Sequence, residues 1–195
     1  TVVLRKACID VKRWIAQGLF HGRVAVNLSA KQFMLPFLCD QIDDILQQTD
    51  LPSYHLELEI TEGTVMQSPK LAIDTMKKLR ARGIHLAMDD FGTGYSSLAY
   101  LKQFPLNTLK IDKAFIDDMS SARGRNMVDT IVTIAHNLSL SVVAEGVETH
   151  EQLEQLRKLR CEIIQGYYYS KPLSAEDFAA FLVEQKQQRP KVALL

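Results

Sequence analysis

The sequence predicts an α/β fold, specifically a parallel barrel, and three observations predict it. Short apolar stretches alternate with amphipathic helical stretches along the chain, the order that builds a parallel sheet. Each apolar stretch ends on a polar residue able to bind or react: Asn27, Glu59, Asp89, Lys110, Glu145 and Gln165. An open doubly wound sheet collects its site at one switch point, whereas a barrel mouth collects it from every strand. Six strands can be counted, against eight in the common closed barrel, and the chain has 195 residues. The closed barrel typically takes about 250. The expectation is a TIM-type (β/α) barrel with about six of its eight strands present.

The elements follow in order. Val3 to Gln17 carries apolar residues at Val3, Leu4, Ala7, Cys8, Val11, Trp14 and Ile15, which is helical spacing, and Gly18 is a stop signal. Arg23 to Ser29 reads as a strand ending on Asn27. Ala30 to Gln48 is helical with an interruption at Pro36. His55 to Ile60 alternates as a strand, with Glu57 and Glu59 on one face and Glu62 just past its end. Pro69 to Arg82 is an amphipathic helix closed by Gly83. Ile84 to Asp89 is an apolar strand that ends on two adjacent carboxylates, Asp89 and Asp90, followed by a loop with Gly92 and Gly94. Strand side chains alternate, so one acid points inward at the strand tip while the other turns across the mouth.

Ser96 to Phe104 is a short helix, and Asn107 to Asp112 a strand carrying Lys110 near its end. Asp112 to Met119 suits a helical turn, and Arg123 to Leu138 a longer helix. Ser141 to Gly146 is a strand ending at Glu145. Thr149 to Leu159 is a helix with Thr149 as N-cap and Gln152 as its capping-box partner. Glu162 to Gly166 is a short strand ending at Gln165. Ser174 to Gln187 is the last helix, started by Ser174 and the acids Glu176 and Asp177. Residues 1–187 are read as one domain and 188–195 as a loose tail.

Lys plus Arg equal Asp plus Glu at 23 each, which gives no electrostatic case for DNA or membrane-surface binding. No apolar run reaches the roughly 18 residues of a spanning helix. The three cysteines, Cys8, Cys39 and Cys161, are far apart and odd in number, as suits reduced thiols in a cytoplasmic domain. The expected location is cytoplasmic.

The six strand ends together offer carboxylates, an amide acceptor and an ammonium. Hard divalent cations take oxygen ligands, so Mg²⁺ or Mn²⁺ suits Asn27, Glu59, Asp89 and Asp90. Two such ions about 4 Å apart clamp a phosphoryl group and produce a hydroxide from bound water. Lys110 suits charge stabilisation on the phosphate or the attacking water. Glu145 suits ligation of the second ion through water, or orientation of the nucleophile. Asp90-Phe91-Gly92 spells the kinase magnesium motif, but no Gly-rich nucleotide loop, strand lysine or HRD loop accompanies it. Gly92 to Gly94 fits neither a dinucleotide fingerprint nor a P-loop. The five histidines form no metal-spaced pair, and Tyr167-Tyr168-Tyr169 suits base stacking or rim packing.

Six stretches then carry a resemblance. VAVNLSAKQF from Val24, LELEITE from Leu56, MDDFGTGYSSLAYLK from Met88, LKIDKAFI from Leu109, VVAEGVET from Val142 and QGYYYSKPL from Gln165 stand in order. The chain resembles the EAL domain of bacterial cyclic di-GMP phosphodiesterases from near Val3 to about Leu182. The resemblance implies a barrel that hydrolyses cyclic di-GMP to linear pGpG with two Mg²⁺ or Mn²⁺ ions. It carries over Asn27, Glu59, Asp89 and Asp90 as metal ligands, with Asp89 bridging both ions. It assigns Lys110 to the nucleophilic water and Glu145 to the second ion through water, with Gln165 near the site. Glu62 and Glu148 become supporting acids, and Glu62 anchors the loop from Phe91 to Ser97, which gates metal binding and relays dimer contacts. Asp112, Gly92 and Gly94 join as substrate-side or supporting positions. Glu162 stands where many members have Asp.

The Glu-Ala-Leu stretch that names the family is expected upstream of Thr1, with the two remaining strands and one further metal ligand. The 195 residues alone are therefore expected to turn over little substrate. Cyclic di-GMP, a second copy of the chain, and sensor or cyclase domains upstream are the implied partners. A membrane anchor, if any, would lie in those upstream regions. The alternative to the enzyme is an inactive cyclic di-GMP receptor or partner-binding regulatory module.

Overall fold

A computed structural model of the chain describes residues 2–92 and 98–188. Gly94, the start of the helix expected from Ser96, most of the expected gating loop and the tail beyond Gln188 lie outside the described residues. The chain opens with α1 (Val2–Ala16), then β1 (Val24–Leu28), α2 (Ala30–Phe33) and α3 (Leu38–Thr49). β2 (Leu56–Thr61) is followed by α4 (Glu62–Gln67) and α5 (Pro69–Ala81), and β3 (His85–Phe91) by α6 (Leu98–Leu101). β4 (Thr108–Ile111) leads to α7 (Lys113–Asp117) and α8 (Ala122–Asn137); β5 (Ser141–Ala144) leads to α9 (His150–Lys158). β6 (Ile163–Ile164) and α10 (Ala175–Gln188) complete the fold.

All six strands are parallel and lie in sequence order in one sheet. That order requires every crossover to run the same way, and a right-handed crossover puts each helix on the same side. The result is a core between the helices and one sheet face. Leu56, Leu58, Ile60, Leu86, Met88, Leu109, Ile111, Val142 and Ala144 occupy that outer face and are fully buried. Side chains one position along, on the opposite face, are Glu57, Glu59, His85, Asp89, Thr108 and Lys110. β1 and β6 are opposite edges of the sheet, yet their helices meet. The Phe178 ring of α10 lies 5.0 Å from the Trp14 ring of α1, and Lys186 donates to the Gly18 carbonyl at 3.1 Å. Only a curled sheet brings its two ends together in this way, so the inner face is concave and the strands form most of a barrel.

Local signals explain the boundaries. Gly18 and Gly83 take positive φ and close α1 and α5 as expected. Thr149 accepts from the Gln152 amide at 3.2 Å while the Gln152 side chain accepts from Thr149 N–H at 3.0 Å, the capping box the spacing predicts. One element is added and one expectation changes. The segment from Glu62 is a helix in its own right, directly after β2. β3 also continues beyond Asp89 to Phe91 by means of a bulge. Met88 pairs with Leu109 and Phe91 with Ile111, three steps on one strand against two on the other. Asp90 absorbs the extra residue at φ +56°, a left-handed conformation that Asp tolerates better than most residues.

Candidate active site

Four of the residues singled out at the strand ends meet at one atom. Lys110 Nζ lies 2.6 Å from Glu59 Oε1, 2.7 Å from Glu145 Oε1 and 3.2 Å from Asp89 Oδ1. The lysine is on β4; the carboxylates come from β2, from β3 and from the residue following β5. Lys110 is 3% exposed, Glu59 6% and Asp89 9%, so the cluster is held away from bulk water. Barrel curvature and the alternation of side chains together produce this convergence: every second residue points inward, and the concave face aims them at a common centre.

The electrostatics are those of three acids around one base. Burial pulls the Lys110 ammonium down, but hydrogen bonds to Glu145 and Glu59 outweigh it and hold the group above the ordinary lysine value. Lys110 is therefore charged at any physiological pH. Burial raises the Glu59 carboxyl; Lys110 opposes the rise, and Asp89 and Glu57 add to it. Glu145 is raised for the same first reason, with Asp89 and Glu59 as the repelling neighbours. One ammonium does not neutralise this many carboxylates, and the surplus negative charge lies at the end of the barrel where the strands finish.

The bulge in β3 delivers the second acid. Asp89 Oδ1 accepts from the Asp90 backbone N–H at 3.1 Å, which fixes the turn, and Asp90 is half-buried beside it. Burial, then Asp89 and Asp112, push the Asp90 carboxyl up against the opposing pull of Lys110. Asp112 also caps α7 by accepting from the Ala114 N–H at 2.7 Å. Glu62, the first residue of α4, is 1% exposed and accepts the Gly92 N–H on Oε2 at 3.1 Å. It therefore ties the β2 end to the start of the loop after β3. Its other oxygen, Oε1, is buried without a hydrogen-bond partner.

The remaining candidates are placed as follows. Asn27 is the register partner of Glu59, on the same inner face one strand away, and its side chain is exposed. Gly92 takes φ +94°, and a Cβ there would lie 3.0 Å from the Phe115 ring. Gln165 contributes backbone: its N–H donates to the Ala144 carbonyl at 2.9 Å and its carbonyl accepts from Val147 N–H at 3.1 Å. The side chain of Gln165 is exposed. Glu148 is paired with Lys113 at 2.8 Å rather than with the Lys110 cluster.

Two features went unread in the sequence. Below the cluster, Glu57 is 9% exposed and accepts the Thr108 hydroxyl at 3.0 Å, forming a second polar layer on the inner face. Its alternation with Glu59 was visible, but its partner sits 51 residues away. Lys113 spans Asp117 at 3.0 Å and Glu148 at 2.8 Å, and its stem packs against Gly146, where a Cβ would lie 2.4 Å from Cγ. No pattern around Lys113 signals that reach.

The donor set suits a hard cation, since Asn27, Glu59, Asp89, Asp90 and Glu145 supply only oxygen and an excess of negative charge. Among the described residues, no group of three Asp, Glu, His or Cys side chains is arranged to hold a metal ion as it stands. Three of the acids converge instead on the Lys110 ammonium. Also among the described residues, no helix is long and apolar enough to cross a membrane.

Comparison with known proteins places this geometry. The family model described as the EAL domain matches residues 1–172. Over 181 residues, the chain is 44% identical to "Cyclic di-GMP phosphodiesterase NbdA" of Pseudomonas aeruginosa, covering 92% of the chain and 23% of the relative. The structure of the PaMucR phosphodiesterase in its c-di-GMP complex superposes with a TM-score of 0.88 at 40% identity, covering 90% of this chain and 72% of that one. The calcium/cy-diGMP complex of Klebsiella pneumoniae BlrP1 superposes with a TM-score of 0.77 at 29% identity, covering 86% and 42%. The chain spans about a quarter of the length of the curated relatives it matches.

Proposed function

The chain belongs to the EAL domain family, and on that footing we propose that it carries metal-dependent hydrolysis of cyclic di-GMP to linear pGpG. The observation that supports this most directly is the buried Lys110 ammonium held by carboxylates from three strand ends at the mouth of the barrel. Two solved relatives are complexes with c-di-GMP, one of them together with calcium. Oxygen donors in excess negative charge are what a divalent cation and an anionic phosphodiester both call for.

In this reading Asn27, Glu59, Asp89 and Asp90 hold two Mg²⁺ or Mn²⁺ ions. When bound, such ions polarise the phosphodiester and lower the pKa of a coordinated water. The chain's own residues do the rest. Lys110, charged throughout, stabilises the attacking water and the charge that builds on the phosphate. Glu145, whose Oε1 accepts the Lys110 ammonium at 2.7 Å, orients the same water. One water adds across one phosphodiester bond, leaving a phosphomonoester and a hydroxyl and opening the ring. Glu62 acts through the backbone: by accepting Gly92 N–H it fixes the segment that follows the two aspartates. Asp112 lies beside Asp90 and raises its carboxyl, and Glu148 supports the loop after β5 through Lys113. In this reading the protein works in the cytoplasm and pairs with a second copy of itself.

The test is turnover of cyclic di-GMP by the full-length protein with Mg²⁺ or Mn²⁺, read by chromatography of pGpG. Product that disappears with EDTA and returns with metal supports the reading. Tight binding of cyclic di-GMP with no pGpG formed would replace it with a receptor.

A further inference from the structure

We propose that Lys110 is the site's own counter-cation: it competes with divalent ions for the Glu59 and Asp89 carboxylates and so sets how tightly the metal is held. This rests on the metal-dependent reading above and concerns the affinity of that site, not the chemical step.

Glu59 Oε1 takes the ammonium at 2.6 Å and Asp89 Oδ1 takes it at 3.2 Å, and these two side chains are among the candidate metal ligands. An oxygen directed at an ammonium offers less to a cation, so coordination through these atoms requires the ion pairs to lengthen or the carboxylates to turn. Glu59 Oε1, Asp89 Oδ1 and Glu145 Oε1 all lie within 3.2 Å of Nζ, so the ammonium occupies the point on which the three carboxylates converge.

Charge leads to the same conclusion. Glu59, Asp89 and Glu145 with Lys110 sum to two negative charges, which one divalent ion neutralises. Without the ammonium the three carboxylates would present three negative charges in a pocket where Lys110 is 3% exposed and Glu59 6%. Screening there is weak, so a positive charge a few ångströms from an incoming cation opposes its binding far more than at a surface. The same ammonium spares the buried acids from facing one another unpaired. Lys110 thus stabilises the metal-free fold and weakens metal binding by one set of contacts.

The experiment compares Mn²⁺ binding by isothermal titration, and the gain in melting temperature on adding Mn²⁺, for the full-length wild-type protein, Lys110→Met, Lys110→Arg and Asp89→Asn. Lys110→Met should bind Mn²⁺ at least about tenfold more tightly than wild type, melt lower in EDTA and gain more in melting temperature on metal addition. Lys110→Arg keeps the charge and should stay near the wild-type affinity. If Lys110→Met does not fold, Lys110→Gln serves, since it can hydrogen-bond the acids without a charge. Equal or weaker Mn²⁺ binding by the neutral variant, with wild-type binding that is lost in Asp89→Asn, overturns this inference and leaves the metal-dependent reading standing. Wild-type protein that takes no Mn²⁺ sensitive to Asp89→Asn overturns both.

Discussion

Replacing Gly166 by alanine tests how the mouth of the barrel is braced. A Cβ at Gly166 would lie 2.1 Å from the Val147 carbonyl oxygen and 2.3 Å from the Val147 nitrogen. Both atoms are backbone, so no side chain can swing aside; relief requires moving the chain by about 1 Å to restore ordinary contact. Val147 is pinned where it stands: its N–H donates to the Gln165 carbonyl at 3.1 Å and its carbonyl accepts from Tyr168 N–H at 3.0 Å. Losing both bonds costs about 2 kcal/mol, and the overpacking adds about 1–3 kcal/mol. The expected destabilisation is about 3–5 kcal/mol, or roughly 6–20 °C in melting temperature for a domain of this size. Glu145 lies two residues before Val147, so turnover should fall as well. The control is Gly63→Ala in the first turn of α4, where a Cβ meets nothing within 4 Å. There the same methyl group should stabilise by about 0.5–1 kcal/mol, because alanine is the better helix former. Thermal and urea melts of both variants measure this. A Gly166→Ala protein within about 0.5 kcal/mol of wild type would refute the claim that this contact braces the loop.

Three further outcomes follow from the site and its surroundings. Asp89→Asn keeps the size of the side chain but removes a charge that faces Lys110 at 3.2 Å, and should lower pGpG formation by at least about a hundredfold with folding intact by circular dichroism. In EDTA, the raised Glu145 carboxyl binds its proton more readily folded than unfolded, so between its ordinary value of 4.5 and its raised value stability grows as pH falls. Glu145→Gln should flatten that part of the melting-temperature profile, and an unchanged slope would count against burial as the cause of the shift. The Cys8 and Cys161 thiols are pushed up to about 11 by burial, and Cys39 is raised as well, so native protein at pH 8 should react with no more than a trace of Ellman's reagent. In guanidinium, all three should react.

Much of the fold was legible because its signals are local. Apolar runs, Gly18 and Gly83 as stops, and the Thr149–Gln152 box each depend on a few neighbouring residues, and each stands as expected. The convergence of Glu59, Asp89, Lys110 and Glu145 was legible for a different reason: in a parallel barrel, position at a strand end is itself a three-dimensional coordinate. What escaped depends on partners remote in sequence or on a broken period. The helix from Glu62 is six residues long, too short to show helical periodicity. The Glu57–Thr108 pair joins β2 to β4 across an intervening strand. The bulge at Asp90 breaks the period of two, so β3 seemed to end where it only changes step.

That bulge makes a final prediction possible. Strict alternation would send Asp89 inward and Asp90 outward among the apolar side chains of the helical layer. The extra residue keeps Asp90 at the mouth and returns Phe91, 6% exposed, to the outer core. Asp90 is then held in a left-handed conformation with a carboxyl that burial, Asp89 and Asp112 all push up. A group whose charge is opposed in the native state destabilises that state whenever it is ionised. Asparagine fits the same φ at least as well, carries no charge, and can donate an N–H to the Asp112 carboxylate. Asp90→Asn should therefore melt higher than wild type in EDTA at pH 7 and lose both metal-induced stabilisation and turnover. The expected pair of effects, a more stable fold with a weaker site, is what strain and charge kept for function would produce. A variant that melts lower in EDTA would show that the Asp90 carboxylate stabilises the barrel, and its placement would then need a structural explanation.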